Sequence, residues 1–310
     1  MQRPRACRKI HPVSLTSLAP VSAIIVNYNA GALLTECVAA ALAQAAQTLV
    51  VDNDSRDDSL HRLQSRFVSE PRLSVIRTGR NLGFAAGCNR GVDAATHDLL
   101  MFLNPDCVLA AETLPRLLQV LESDPRIGMV GGLLVNPDGS EQRGGRRALP
   151  TPWRSFVRAF GLHRLASFWP ALFGNFDLHE QPLPAQPMDV EAISGALMLV
   201  RRAALVDVGG WDEGYFLHCE DLDLCLRFHC KGWKIVFVPD APAVHRQGTC
   251  STSRPVFVEW HKHRGMMRYY RKFFRDRYPG ILMWLVVLGV WLRFPVAATW
   301  QMVRRRAGGR

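Results

Sequence analysis

The sequence predicts an α/β fold in which a mostly parallel sheet is flanked by helices on both faces. Three observations carry that prediction. Short, continuous apolar runs alternate with stretches whose apolar residues recur at helical spacing, the pattern of strand–helix–strand units. The apolar runs stop on Asn and Asp, which places polar side chains at strand exits, where parallel sheets bind ligands. Finally, 310 residues at 48% apolar composition are enough for one large core, which excludes disorder as the main state.

Residues 1–20, carrying Arg3, Arg5, Arg8 and Lys9 among prolines with no apolar stretch, read as a flexible leader. VSAIIVNYN, starting at Val21, is a buried strand that ends on Asn27 and Asn29, and AGALLTECVAAALAQA after it has a helical apolar stripe. TLVVDNDS is a second strand ending on Asp52 and Asn53, and RDDSLHRLQSRF restarts a helix from an Asp/Ser-rich N-terminus. The rhythm continues with RLSVIRT as strand, GFAAGCNRGVDAAT as helix, DLLMFLN as strand, AAETLPRLLQVLES as helix and IGMVGGLLV as strand. It breaks after residue 135. NPDGSEQRGGRRALPTPWRS is a Gly/Pro/Arg-rich loop, and residues 153–187 mix aromatics with prolines, either a lid-like insertion or a surface excursion. MDVEAISGALMLVRRAAL resumes with a strand, a small-residue turn and a helix start.

The eight cysteines show no C-x-x-C pair and no zinc spacing, so they read as reduced thiols of a cytosolic compartment. The net charge of +11 lies in one place: from Arg254 onward thirteen Lys/Arg face only Glu259 and Asp276, which leaves the body formally neutral. This basic stretch is also apolar. EWHKHRGMMRYYRKFFRDRYPG interleaves aromatics with cations, and ILMWLVVLGVWLRFPVAATWQMV follows. The twelve uncharged residues before Arg293 and Pro295 are fewer than the roughly 20 that cross a bilayer. An interfacial or re-entrant helix pair is therefore expected, with Trp284, Trp291 and Trp300 at headgroup depth and Arg304–Arg306 on anionic lipid. A single span and a buried helix are the alternatives. Nucleic acid as partner is disfavoured, because so apolar a run has no role in a groove.

The chemistry-bearing residues follow the same map. No G-x-G-x-x-G follows Val26 and no Walker lysine motif is present, so a phosphate must be held in another way. In LLMFLNPDCVLA, Asn104, Pro105 and Asp106 leave a buried strand; they serve as turn residues or place a carboxylate for Mg²⁺ or Mn²⁺, which bridges to phosphate oxygens. In GGWDEGYFLHCEDLDLCLRFHCKGW, Glu220, Asp221 and Asp223 open a helix. They either cap it or provide a general base.

Six fragments in order, VSAIIVNYNAGALL, VVDNDSRDDS, GRNLGFAAGCNRGV, FLNPDCVL, SGALMLVRRAAL and GGWDEGYFLHCEDLDLCLR, resemble the inverting glycosyltransferases of family 2. The similarity is strongest to the bacterial rhamnosyltransferase-like branch of cell-surface polysaccharide assembly, and it covers roughly residues 20–250. It implies a GT-A type Rossmann-like domain over residues 21–253, with 254–310 as a membrane-associating helical tail. Asn27, Asn29, Asp52 and Asn53 would hold the nucleotide base and ribose. Arg80 and Asn81 would face the diphosphate, with Gly83, Ala85 and Gly87 letting the backbone approach. Asp106 would bind Mg²⁺ or Mn²⁺, with Asn104 where a strict D-x-D has Asp, and His245 would meet the metal or the diphosphate. Gly195, Ala196 and Trp211 would line the sugar and acceptor cleft; Asp221 would be the base, with Glu220 orienting the site. The resemblance implies transfer of a sugar, rhamnose from dTDP-rhamnose first, to a lipid-linked or oligosaccharide acceptor at the cytoplasmic face of the inner or plasma membrane. Galactofuranose, mannose or N-acetylglucosamine as donor sugar, or an inactive membrane-associated scaffold, are the alternatives.

Overall fold

The computed structural model describes residues 18–159, 178–246 and 255–308, together with residues 164 and 169. Most of the expected leader, much of the 153–187 insertion, and Cys7 and Cys250 lie outside the described residues. The first half of the chain alternates as its sequence predicts: β1 (Ala19–Asn27), α1 (Leu33–Leu42), β2 (Ala45–Asp52), α2 (Ser59–Arg66), β3 (Leu73–Arg77), α3 (Phe84–Ala94) and β4 (Leu99–Leu103). Then come β5 (Cys107–Leu109), α4 (Thr113–Glu122), β6 (Ile127–Val135), β7 (Arg146–Arg147) and α5 (Pro152–Ala159). The rest comprises β8 (Met188–Asp189), β9 (Ala192–Ile193), β10 (Leu197–Arg201), α6 (Arg202–Asp207), α7 (Glu220–Cys230), β11 (Lys234–His245), α8 (Pro255–Phe274) and α9 (Gly280–Gly308).

Nine strands form one sheet in the order β3-β2-β1-β4-β10-β6-β11-β5, with β8 paired to β11. Strands β1–β4 are parallel, as are β6 and β11. The sheet as a whole is mixed, because β10 runs antiparallel between β4 and β6, and β5 and β8 run antiparallel to β11. Strand alternation divides the core. Val21, Ala23 and Ile25 point to one face, with Leu34, Leu63 and Leu117 of α1, α2 and α4. Ile24 and Val26 point to the other, with Ala85, Leu205, Phe228 and Tyr269 of α3, α6, α7 and α8.

The basic tail divides into two helices with different surroundings. Helix α8 belongs to the body: Tyr269, Tyr270 and Phe274 are buried in the core on the second face of the sheet, and Met267 is buried as well. Burial of Met267 and Phe274 alone stabilises this docking by roughly 1.5–3 kcal/mol each. Helix α9 folds back along α8, with Trp260 5.1 Å from Trp291 and 5.6 Å from Phe294 between ring centroids. It runs unbroken through Arg293 and Pro295, so the expectation of an apolar run too short to span is corrected. Residues Gly280–Thr299, 20 residues with a mean hydropathy of 2.0 and only 11% buried, are long and apolar enough to cross a bilayer. An apolar environment tolerates the proline, and the long Arg293 side chain can reach out to a polar boundary. The side chains of Trp300 and Arg304–Arg306 lie outside the described residues.

Candidate active site

Topology brings the polar strand ends together. Parallel strands β1, β2 and β4 finish at one end of the sheet, and β6 and β11 finish there too, because β10 opposes both β4 and β6. The same reversal places Gly195 and Ala196, just before β10, beside the exit of β4: Asn104 N donates to Ala196 O at 3.0 Å.

Asp106 and His245 meet at this end. Register is the cause, since β11 pairs antiparallel with β5 and sets His245 opposite Cys107. His245 Nε2 lies 3.2 Å from Asp106 Oδ1 and 3.4 Å from Asn104 Nδ2. Gln142, at the buried base of the loop after β6, fixes the imidazole. Its Nε2 donates to His245 O (3.0 Å) and Asn136 Oδ1 (3.1 Å), so its Oε1 must be the atom 2.6 Å from His245 Nδ1. Nδ1 therefore carries a proton and donates, which turns Nε2 toward Asp106. One carboxylate and one oriented imidazole, both buried, fit a divalent cation that takes its other ligands from phosphate and water. The nitrogen ligand weights the pair toward Mn²⁺, since Mg²⁺ is held mainly by oxygen. Among the described residues no group of three or more His, Cys, Asp or Glu could hold a metal, so a cation at this pair would need substrate or water to complete its shell.

The acidic start of α7 is divided among separate tasks. Asp223 is fully buried and bonded to Arg227 Nε (2.5 Å) and Lys272 Nζ (2.7 Å), a structural ion pair. Asp221 instead accepts from Gly195 N (3.3 Å) and forms an ion pair with Arg147. Glu220 is buried with Oε2 unpartnered among the described residues; burial, and then the charge of Asp221, raise its pKa well above the usual carboxylate range. The backbone entering this turn is strained: His218 and Cys219 have φ of 68° and 71°, the left-handed region that non-glycine residues avoid. Asp221 and Asp106 are thus linked through one junction, Gly195–Ala196 against Asn104.

Other expected residues serve as braces. Asn27 is fully buried; its Nδ2 donates to Asp52 Oδ1 (2.9 Å) and reaches the Ser55 and Ser59 hydroxyls (3.0 Å each). Asn53 Nδ2 donates to Gly83 O (2.9 Å), and Asn81 Oδ1 accepts from Gly83 N (2.9 Å), which ties the β2 exit to the start of α3. Side-chain contact of Asn27 with a nucleotide is therefore corrected to a supporting role. Asn29 and Arg80 remain at the surface of this end, half-buried and exposed respectively. Trp211 does not line a cleft. It is 2% exposed and packs edge-on against Phe84 and Phe102 at 5.7 and 5.0 Å, because the loop between α6 and α7 folds its ring into the core. Sequence reading missed Gln142 and Arg147. Their one signal is the density of polar residues in the loop after β6, which has no period to show which side chains turn inward; the pairing of β7 with β9 places Arg147.

The profile described as "Glycosyl transferase family 2" matches residues 22–205, and "Glycosyl transferase family group 2" matches 164–305. The chain is 32% identical over 248 residues to the N-acetylglucosaminyl-diphospho-decaprenol L-rhamnosyltransferase of Mycobacterium tuberculosis, covering 75% of this chain and 77% of the relative. It is 28% identical over 155 residues to the rhamnosyltransferase WbbL of Escherichia coli, covering 49% of this chain and 53% of the relative. Among solved structures, GalNAc-T7 with UDP, GalNAc and Mn²⁺ superimposes with a TM-score of 0.59 at 17% identity, covering 83% of this chain and 48% of that one. The mannosyltransferase PcManGT of Pyrobaculum calidifontis, with GDP-Man and Mn²⁺, gives 0.55 at 17% identity, covering 95% and 76%.

Proposed function

Because the chain belongs to glycosyl transferase family 2 and is a rhamnosyltransferase-like glycosyltransferase, we propose that it transfers rhamnose, with inversion, from dTDP-rhamnose to a lipid-linked diphosphate sugar. The observation that carries the reading is the junction of Asn104 with Gly195–Ala196, which ties Asp106 and His245 to Asp221. A relative named for a diphospho-decaprenol acceptor supports the acceptor class, and fold neighbours solved with UDP and GalNAc or with GDP-Man, each with Mn²⁺, support the metal.

Asp106 and His245 would hold the cation, which when bound neutralises charge on the departing diphosphate. The acceptor hydroxyl attacks the anomeric carbon from the face opposite that leaving group. A new C–O bond forms as the sugar–phosphate bond breaks, and Asp221 takes the hydroxyl proton. Gly195 N and Arg147 hold Asp221 in orientation, and neutral Glu220 beside it adds no competing charge. The strand-end braces Asn27, Asp52, Asn53 and Asn81 shape the nucleotide end, with Asn29 and Arg80 at its surface. The α8–α9 tail would anchor the enzyme at the cytoplasmic face, its cations on anionic lipid and α9 in the bilayer.

A panel of nucleotide sugars tests the donor: dTDP-rhamnose should release nucleoside diphosphate only when a lipid-linked acceptor is added. Release from UDP-galactofuranose, GDP-mannose or UDP-N-acetylglucosamine in its place would overturn rhamnose, and release from none would point to an inactive scaffold.

A further inference from the structure

A groove of about 580 Å³ opens between α8 and α9, walled by Arg264, Arg268, Arg271 and Lys272 with Met267 and Trp291. We propose that it is the seat of the acceptor's diphosphate, an inference that rests on the lipid-linked acceptor read above.

The spacing of Arg264, Arg268 and Arg271 puts three guanidinium groups on one stripe of α8. Gly214 faces that stripe, where any Cβ would collide with the guanidinium of Arg268. Two of the four cations are already neutralised. Arg268 bonds Asp212 at 2.9 Å, and Lys272 bonds Asp212 at 2.6 Å and Asp223 at 2.7 Å, which holds the wall rigid. Arg264 and Arg271 are exposed and have no acidic partner among the described residues. Their two uncompensated charges match the two negative charges of a diphosphate diester, where a single phospholipid phosphate would satisfy only one.

The surroundings fit a lipid bearing that group. On α9, Trp284, Leu285, Leu288 and Leu292 are 38–63% exposed, an apolar surface along which a polyprenyl chain can lie. The turn of α8 that carries Arg264 also touches the turn entering α7: a Cβ at Gly265 would sit 2.8 Å from His218 O, with Cys219 beside it. Those two residues lead directly into Glu220 and Asp221. The groove therefore holds the acceptor's charged end beside the helix that presents the base.

The test uses the full chain carrying Arg264→Gln and Arg271→Gln, assayed in neutral detergent micelles with polyprenyl-diphosphate-linked N-acetylglucosamine and, separately, octyl N-acetylglucosaminide. Both positions are surface side chains without an acidic partner among the described residues, so the melting temperature should match the wild type. The KM for the diphosphate acceptor should rise roughly 10- to 100-fold, the range expected on losing charged hydrogen bonds. The kcat at saturation, the donor KM and the rate on the octyl glycoside should stay unchanged. An unchanged KM, or equal losses on both acceptors, overturns the proposal. So does a loss confined to anionic vesicles and absent in neutral micelles, which would assign the groove to bulk phospholipid. Failure of the underlying acceptor reading looks different: the wild type itself would then transfer to no diphosphate lipid, and the inference falls with it.

Discussion

Glu220 and Asp221 are chain neighbours in opposite settings, and the difference is measurable. Because burial raises the pKa of Glu220, the native state holds a proton that the unfolded chain has already released above the ordinary carboxylate range. Stability should therefore fall as pH rises from the unfolded pKa toward the folded one, the reverse of the usual carboxylate trend. Melting temperatures from about pH 5 to about pH 9 should decline more steeply for the wild type than for Glu220→Gln; parallel curves would contradict the assignment. Gln142 makes a second residue-scale prediction. Gln142→Leu removes the acceptor for His245 Nδ1, and Mn²⁺ affinity measured by calorimetry should drop about 10- to 100-fold. Removing the counter-ion of Asp221 with Arg147→Ala should lower turnover about 10²-fold through misorientation, with partial recovery in Arg147→Lys. Asp106, Asp221 and His245 could be singled out as candidates because a carboxylate at a strand exit or helix start, or a histidine within a family motif, stands out in sequence. Gln142 and Arg147 were not, since only strand register turns them inward.

The elements that shape the site are the loops entering α3 and α7. Gly83 has φ of 87°, and a Cβ there would lie 2.5 Å from Phe216 O, where Phe84 N also bonds. Gly83→Ala should therefore destabilise the protein by about 1–3 kcal/mol in chemical denaturation, through backbone strain and collision together. A change below about 0.5 kcal/mol would contradict this close approach. The alternation of β1 to β4 with α1 to α3 could be read from apolar runs alone. The reversal of β10 could not, because an apolar strand buried on both faces carries no mark of its direction. Helix α9 was also misjudged in length, as Arg293 and Pro295 look like breakers in sequence, yet the helix runs unbroken through both.

At the scale of the molecule, a formally neutral body is followed by residues 254–310, which carry the surplus charge and contain two helices that differ in burial. Helix α8 is fastened to the core, and α9 leaves Ile281 and Val296 76% and 70% exposed, so the pair presents cations and apolar surface together. Binding to anionic vesicles should survive high salt and yield only to detergent, because burial of the α9 surface is not screened. Release by salt alone would make the tail a peripheral, electrostatic contact. The proposed reaction turns on the tie between a cation-holding pair and a base through the β4–β10 junction. Acceptor-dependent release of nucleoside diphosphate by Asp221→Asn tests it most directly. Turnover should fall about 10²- to 10⁴-fold while dTDP-rhamnose still binds with Mn²⁺ as in the wild type. Turnover within a few-fold of the wild type would show that the proton goes elsewhere.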